Sequence, residues 1–179
     1  ILNTGCYPGT WMEGVIIPIY KKGDKKGASN YRGITLMSCF SKVFTSIMNR
    51  RLEIVCRDNN LISDCQFGFY KVDAVFILDA LIQHFLKRHT RLYIVFVDLK
   101  RCFDTIYRNG LWFKLHRAGI QGKFLRIIRD MYSKVKSCVK QCSSYSEYFQ
   151  YAVGLRQGEV MSPLLFSLFI DDLEMFLQY

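Results

Sequence analysis

Prolines are few in this chain, at positions 8, 18 and 163 only, and no Pro-rich or low-complexity linker divides it. No apolar run approaches the ~20 residues that a bilayer-spanning helix needs. The N-terminus carries no secretory signal. A membrane is therefore not an expected partner. The seven cysteines (Cys6, Cys39, Cys56, Cys65, Cys102, Cys138, Cys142) include no C-x-x-C pair. Cys138 and Cys142 are separated by three residues with no second ligand pair beside them, which argues against zinc. Scattered in apolar surroundings, these cysteines read as reduced core residues of an intracellular protein. Acidic residues are also short: 15 Asp and Glu against 25 Lys and Arg, a net charge of +10. That balance points to a polyanionic partner, with a merely soluble basic protein as the alternative.

What is present is the composition of a packed domain. Half of the residues are hydrophobic and 15% are aromatic, which argues for a core and against disorder. The chain does not begin with Met and stops at Tyr179 within an amphipathic stretch, so both ends are expected to be cuts.

The pattern predicts an edge strand from Val15 to Tyr20 with Pro18 in it, then a basic Gly-containing loop from Lys21 to Asn30. A return strand at Ile34 to Leu36 would close a hairpin. A helix follows from Ser41 to Cys56, with Val43, Phe44, Ile47, Met48 and Val55 as its core face. A second runs from Asp73 to Lys87, with Phe76, Ala80, Leu81 and Phe85 inward. Arg91 to Leu99 (RLYIVFVDL) is nearly all apolar and predicts a central strand buried on both faces. Helices near 110–117 and 123–134, short strands at 137–141 and 148–153, and a last helix starting near Pro163 complete an α+β pattern.

The stretch FVDLKRCFDTI, Phe96 to Ile106, carries the chemistry. Asp98 ends the apolar segment, and a carboxylate buried there needs a compensating partner such as a cation. Mg²⁺ suits it, taking oxygen ligands and keeping waters and phosphates in its shell. The other reading is an Asp that caps the following turn. Asp104, six residues on, is the competing carboxylate.

This stretch resembles the palm motif of reverse transcriptases of non-LTR (LINE-type) retrotransposons, hydrophobic-Asp-x-x-x-Ala-Phe-Asp. Three further blocks resemble that family in its order. WMEGVIIPIYKKGD with NYRGITLMSCFSKVFTSIMNRRL is similar to its first fingers block, NLISDCQFGF to its second, and GLRQGEVMSPLLFSLFIDDL to the block after the first palm motif. Together they run from Trp11 to Leu173.

The resemblance implies an incomplete right-hand polymerase fold, with residues 1–90 fingers-like, 91–179 a partial palm, and no thumb. It implies an RNA-directed DNA polymerase, a nucleotidyltransferase, acting within a larger polyprotein on an RNA template, a DNA primer and dNTPs. Two Mg²⁺ ions are expected in the intact enzyme, in an intracellular and by family nuclear setting. Asp98 would be the first catalytic aspartate and a metal ligand, joined by the carbonyl of Leu99. Phe103 would lie under the sugar; its other reading is a core Phe. Arg32 and Lys21 or Lys22 would contact the triphosphate. Gln157 and Gly158 would flank the nucleotide and template base. Lys25, Lys26 and Arg156 would face nucleic-acid phosphates, the lysines otherwise being a solvated loop tip.

The resemblance is incomplete. The family's third palm motif, an Ala-Asp-Asp hairpin, is not found. The similar-looking Phe169-Ile170-Asp171-Asp172 directly follows SPLLFSL and is expected at a helix end. Without that motif this stretch alone is expected to lack polymerase activity. The second fingers block passes from Gly68-Phe69 through Tyr70-Lys71 into VDAVF as if residues were deleted, and Cys102 stands where the motif has Ala. The alternative function is a catalytically dead relic that only binds nucleic acid. A group II intron or other bacterial-type reverse transcriptase is a further reading, fitting the fingers blocks less well.

Overall fold

A computed structural model describes residues 1–63, 66, 74–173 and 175. A 3₁₀ turn at Gly9–Met12 leads into strand β1 (Glu13–Tyr20). A second 3₁₀ turn (Ala28–Asn30) precedes β2 (Tyr31–Leu36). Helices α1 (Cys39–Asp58), α2 (Ala74–Lys87), α3 (Cys102–Thr105), α4 (Arg108–Arg117) and α5 (Gly122–Ser133) follow. Strands β3 (Lys136–Gln141), β4 (Ser144–Tyr145) and β5 (Phe149–Gln150) come next, and then α6 (Ser162–Ile170). The fold is mixed helix and sheet.

β1 and β2 form the expected antiparallel hairpin, pairing Val15 with Leu36 through to Tyr20 with Tyr31. β1 also pairs in parallel with β3, from Glu13 opposite Lys136 to Ile16 opposite Val139. Pro18 lies beyond that paired stretch, where β1 has one neighbour and a missing N–H costs no ladder bond. β4 and β5 both pair with β3, so β3 links the hairpin to the second half of the chain. An ion pair of 2.9 Å between Lys136 and Glu13 spans the parallel register.

The core is made by helices. α4 supplies Leu111, Trp112 and Leu115, α5 supplies Leu125, Ile127, Ile128, Met131 and Tyr132, and α6 supplies Leu164, Leu165 and Leu168. α5 is strongly amphipathic: its buried positions recur at helical spacing while Lys123, Arg126 and Arg129 face solvent. Pro163 sits in the first turn of α6, where its lost N–H has no intrahelical partner. No helix among the described residues is long and apolar enough to cross a membrane.

Three expectations about packing are corrected. On α1 the buried stripe is Ser41, Thr45, Met48, Leu52 and Cys56, while Val43, Ile47 and Val55 are exposed. Of the expected face only Met48 is buried, with Phe44 half-buried against the core. Two small hydroxyl residues let the helix approach the N-terminal segment, and the hydroxyls of Tyr7 and Ser41 lie 2.6 Å apart in a buried hydrogen bond. α2 buries none of its described side chains: Phe76 and Leu81 are exposed. Residues 91–99 form no strand and are largely exposed, Val95 by 84% and Phe96 by 80%. A strand satisfies its backbone only against a neighbour, and no described strand pairs with this segment. Half of the second fingers block (64, 65 and 67–69) and its shortened turn lie outside the described residues, as does the start expected for α2 at Asp73.

Candidate functional site

The β1–β2 hairpin presents its basic tip in an ordered form. The Tyr20 hydroxyl donates to the Gly23 carbonyl at 2.6 Å, the Asn30 amide to the Asp24 carbonyl at 2.8 Å, and the Tyr31 hydroxyl to the Lys25 carbonyl at 2.9 Å. Lys21, Lys22, Lys25 and Lys26 stand exposed around this tip, with the Lys25 ammonium 5.9 Å from the centre of the Tyr20 ring. Arg32 projects from β2 and is exposed.

Across from β2 runs the turn 154–158. Its position depends on two glycines. Gly154 has φ +78°, and a Cβ there would meet the Asp104 carbonyl oxygen at 2.6 Å. Gly158 has φ +107°, and a Cβ there would meet the Thr35 carbonyl oxygen at 2.8 Å. Both positions need a residue with no side chain in a left-handed conformation. The close approach is fixed by backbone hydrogen bonds: Thr35 N–H to Gln157 O at 2.9 Å, Leu155 N–H to Phe103 O at 2.7 Å, and Gly154 N–H to Ile106 O at 2.8 Å. The turn thus joins β2 on one side to α3 on the other.

Side chains complete the bridge. The Arg32 Nε–H donates to Gln157 Oε1 at 3.0 Å, and Gln157 Nε2 donates to Asp104 Oδ1 at 3.0 Å. Beneath this chain opens a cleft of about 290 Å³ lined by Ile16, Gly33, Thr35, Asp104, Tyr151 and Gln157, among others. Arg32 and Gln157, each assigned to the nucleotide by the resemblance, lie in direct contact.

Two arginines hold the turn from below. Arg108 is 6% exposed and donates to the carbonyls of Gly154 (2.8 Å), Tyr132 (3.0 Å), Tyr151 (3.0 Å) and Val153 (3.1 Å). Its guanidinium also lies over the Tyr132 and Tyr151 rings, at 5.2 and 5.4 Å. Burial lowers its pKa, the electrostatic influence of Tyr132 and Tyr151 partly offsets that, and the nearby Arg156 charge adds to the lowering. No sequence signal marked Arg108, because four carbonyls converging from residues 132–154 are invisible in composition. Arg156 is 3% exposed and donates to the carbonyls of Trp11 (3.2 Å) and Met12 (2.7 Å). It does not face a nucleic-acid phosphate, as expected from sequence, but fastens the turn to the start of β1. The physical reason is that the last carbonyls before β1 have no strand neighbour, and a buried fork donor satisfies them.

Asp98 is exposed and lies outside this cleft. The desolvation argument for a cation therefore does not apply to it in this structure. Leu99 instead lines a separate groove with Lys100, Cys102, Phe166 and Phe169. The Phe103 ring stacks on Phe166, centroids 4.8 Å apart, and is half-buried. Among the described residues no three acidic, His or Cys side chains gather as a metal site. Asp171 and Asp172 lie just past the end of α6, as expected. Asp171 accepts from the Ser63 N–H at 2.8 Å, and Asp172 pairs with Lys114 at 2.5 Å.

Residues 19–178 match the family described as reverse transcriptase (RNA-dependent DNA polymerase). The chain is 28% identical over 178 residues to the probable RNA-directed DNA polymerase from transposon BS of Drosophila melanogaster, covering 97% of this chain and 20% of that protein. It is 27% identical over 171 residues to the Pol polyprotein of the type-1 retrotransposable element R2 of Popillia japonica, covering 93% and 23%. It is 26% identical over 186 residues to the RNA-directed DNA polymerase of the mobile element jockey of Drosophila melanogaster, covering 97% and 19%. The chain spans about a fifth of the length of these relatives.

Proposed function

This chain belongs to the reverse transcriptase family, and we propose that it forms the nucleotide-selecting part of an RNA-directed DNA polymerase of a non-LTR retrotransposon. Residues 1–90 are fingers-like in this reading, and 91–179 are part of the palm. The observation that carries it is the meeting of Arg32 with Gln157 at the mouth of the cleft. That contact uses Nε, and the two terminal guanidinium nitrogens have no partner among the described residues. They form a fork suited to two oxygens of a triphosphate. Lys21 and Lys22 would add charge on the same strand end, and Lys25 and Lys26 would meet template or primer phosphates. Phe103, stacked on Phe166, has its ring committed to packing, which favours a supporting role beneath the site.

Mg²⁺, when bound, would neutralise charge on the triphosphate. Asp98 and the Leu99 carbonyl are the ligands that the resemblance assigns to it, but in this structure neither residue lines the cleft beside Arg32. A pair of ions needs further carboxylates than the described residues bring together. The exposure of Asp98 outside the cleft favours a second reading, a relic that binds nucleic acid without catalysis.

Equilibrium binding of a dNTP with and without Mg²⁺ separates the two. The polymerase reading expects Mg²⁺ to tighten binding about tenfold, with the gain lost in Asp98→Asn. Binding indifferent to Mg²⁺ and to that substitution would favour the relic.

A further inference from the structure

We infer that Asp104 is a positioning residue that sets the direction of the Gln157 amide and, through it, the placement of the Arg32 guanidinium. This rests on the nucleotide reading of the cleft but concerns a residue to which that reading gives no task. A carboxylate only accepts hydrogen bonds and a guanidinium only donates them. An amide between the two can satisfy both in one orientation alone, NH₂ toward the carboxylate and C=O toward the guanidinium. Those are the contacts present: Gln157 Nε2 to Asp104 Oδ1 and Arg32 Nε to Gln157 Oε1, each 3.0 Å. The flipped amide would set donor against donor at Arg32 and acceptor against acceptor at Asp104.

The backbone holds both ends of this chain in place. Asp104 lies in α3, its N–H bonded to the Arg101 carbonyl at 2.9 Å, and Gly154 packs against its carbonyl. Gln157 is fixed to β2 through Thr35. The side chain of Asp104 therefore has a neighbour to orient and no part in holding its own helix. Without it, only the Arg32 Nε–H selects the direction of the amide, which is then less restrained, and Arg32 loses its acceptor at Nε for part of the time.

The test follows the Arg32 Nε–H by NMR in the ligand-free chain and measures dNTP affinity in parallel. In Asp104→Ala, solvent exchange of that proton should rise about tenfold and dNTP Kd should rise by a similar factor. Asp104→Asn keeps an acceptor oxygen and should restore both to within about threefold of the starting protein. Unchanged Arg32 exchange in Asp104→Ala overturns the inference. So does equal loss in the Ala and Asn variants, which would mean local damage to α3. Failure of the unsubstituted chain to bind any dNTP would count against the nucleotide reading, while the exchange measurement still decides the role of Asp104.

Discussion

The buried carboxylate of Glu159 accepts a hydrogen bond of 3.1 Å from the hydroxyl of Tyr132. Burial raises the Glu159 pKa above its ordinary 4.5, with nearby Arg156 and the Tyr132 bond offsetting part of the rise. A raised carboxyl pKa makes the folded state favour the proton. Its contribution to stability is complete below the ordinary value and is lost as pH rises through the folded one. Glu159→Gln keeps an acceptor for Tyr132 and removes that loss. Urea unfolding should find the variant more stable than the parent at pH 8, with the gap closing toward pH 4.

Arg108 should be the most sensitive single position for stability. Replacing it with Met leaves four carbonyls to find other donors and removes its stacking on two tyrosines. The expected cost is about 3 kcal/mol or more, read from urea unfolding. Arg108→Lys should recover little, because one ammonium cannot reach the four carbonyls as a planar fork does.

Thiol chemistry should divide the cysteines by burial. Cys6, Cys39 and Cys142 are exposed, whereas Cys56 and Cys138 are buried. Burial pushes the Cys56 thiol up to about 11. At pH 8 its thiolate fraction is then about one in a thousand. Native labelling should modify the three exposed thiols rapidly and reach Cys56 only on unfolding, as mass spectrometry of labelled peptides would report.

The hairpin lysines should act through charge. If Lys25 and Lys26 meet RNA phosphates, each change to Ala should weaken RNA binding at low salt. Each should also reduce the slope of log affinity against log salt by about 0.7–0.9. A slope unchanged in the double variant would return these residues to a solvated loop tip.

Much of the fold was legible. Apolar β-branched runs flanking a Gly- and Lys-rich loop located the β1–β2 hairpin, and Pro163 marked the start of α6. The face of α1 was not legible, because burial falls on Ser41 and Thr45, where contact with Tyr7 and the N-terminal segment outweighs side-chain hydrophobicity. The strand expected at 91–99 failed for a related reason: its apolar character is local, but pairing depends on a neighbour. Within the site, Arg32 and Gln157 were each assigned to the nucleotide by the ordered blocks, and their direct contact, with Asp104 joined to it, comes from the structure. Arg156 was assigned to phosphate because it adjoins Gln157 and Gly158 in the GLRQG block, and only the fold shows the backbone carbonyls it serves.

The central claim is that the cleft between β2 and the 154–158 turn receives a nucleoside triphosphate at Arg32. Titration calorimetry of one dNTP against the chain and its Arg32→Ala variant, in Mg²⁺ and at fixed ionic strength, tests it most directly. The account predicts that binding weakens at least about tenfold in the variant. Equal affinity in the two proteins would contradict it.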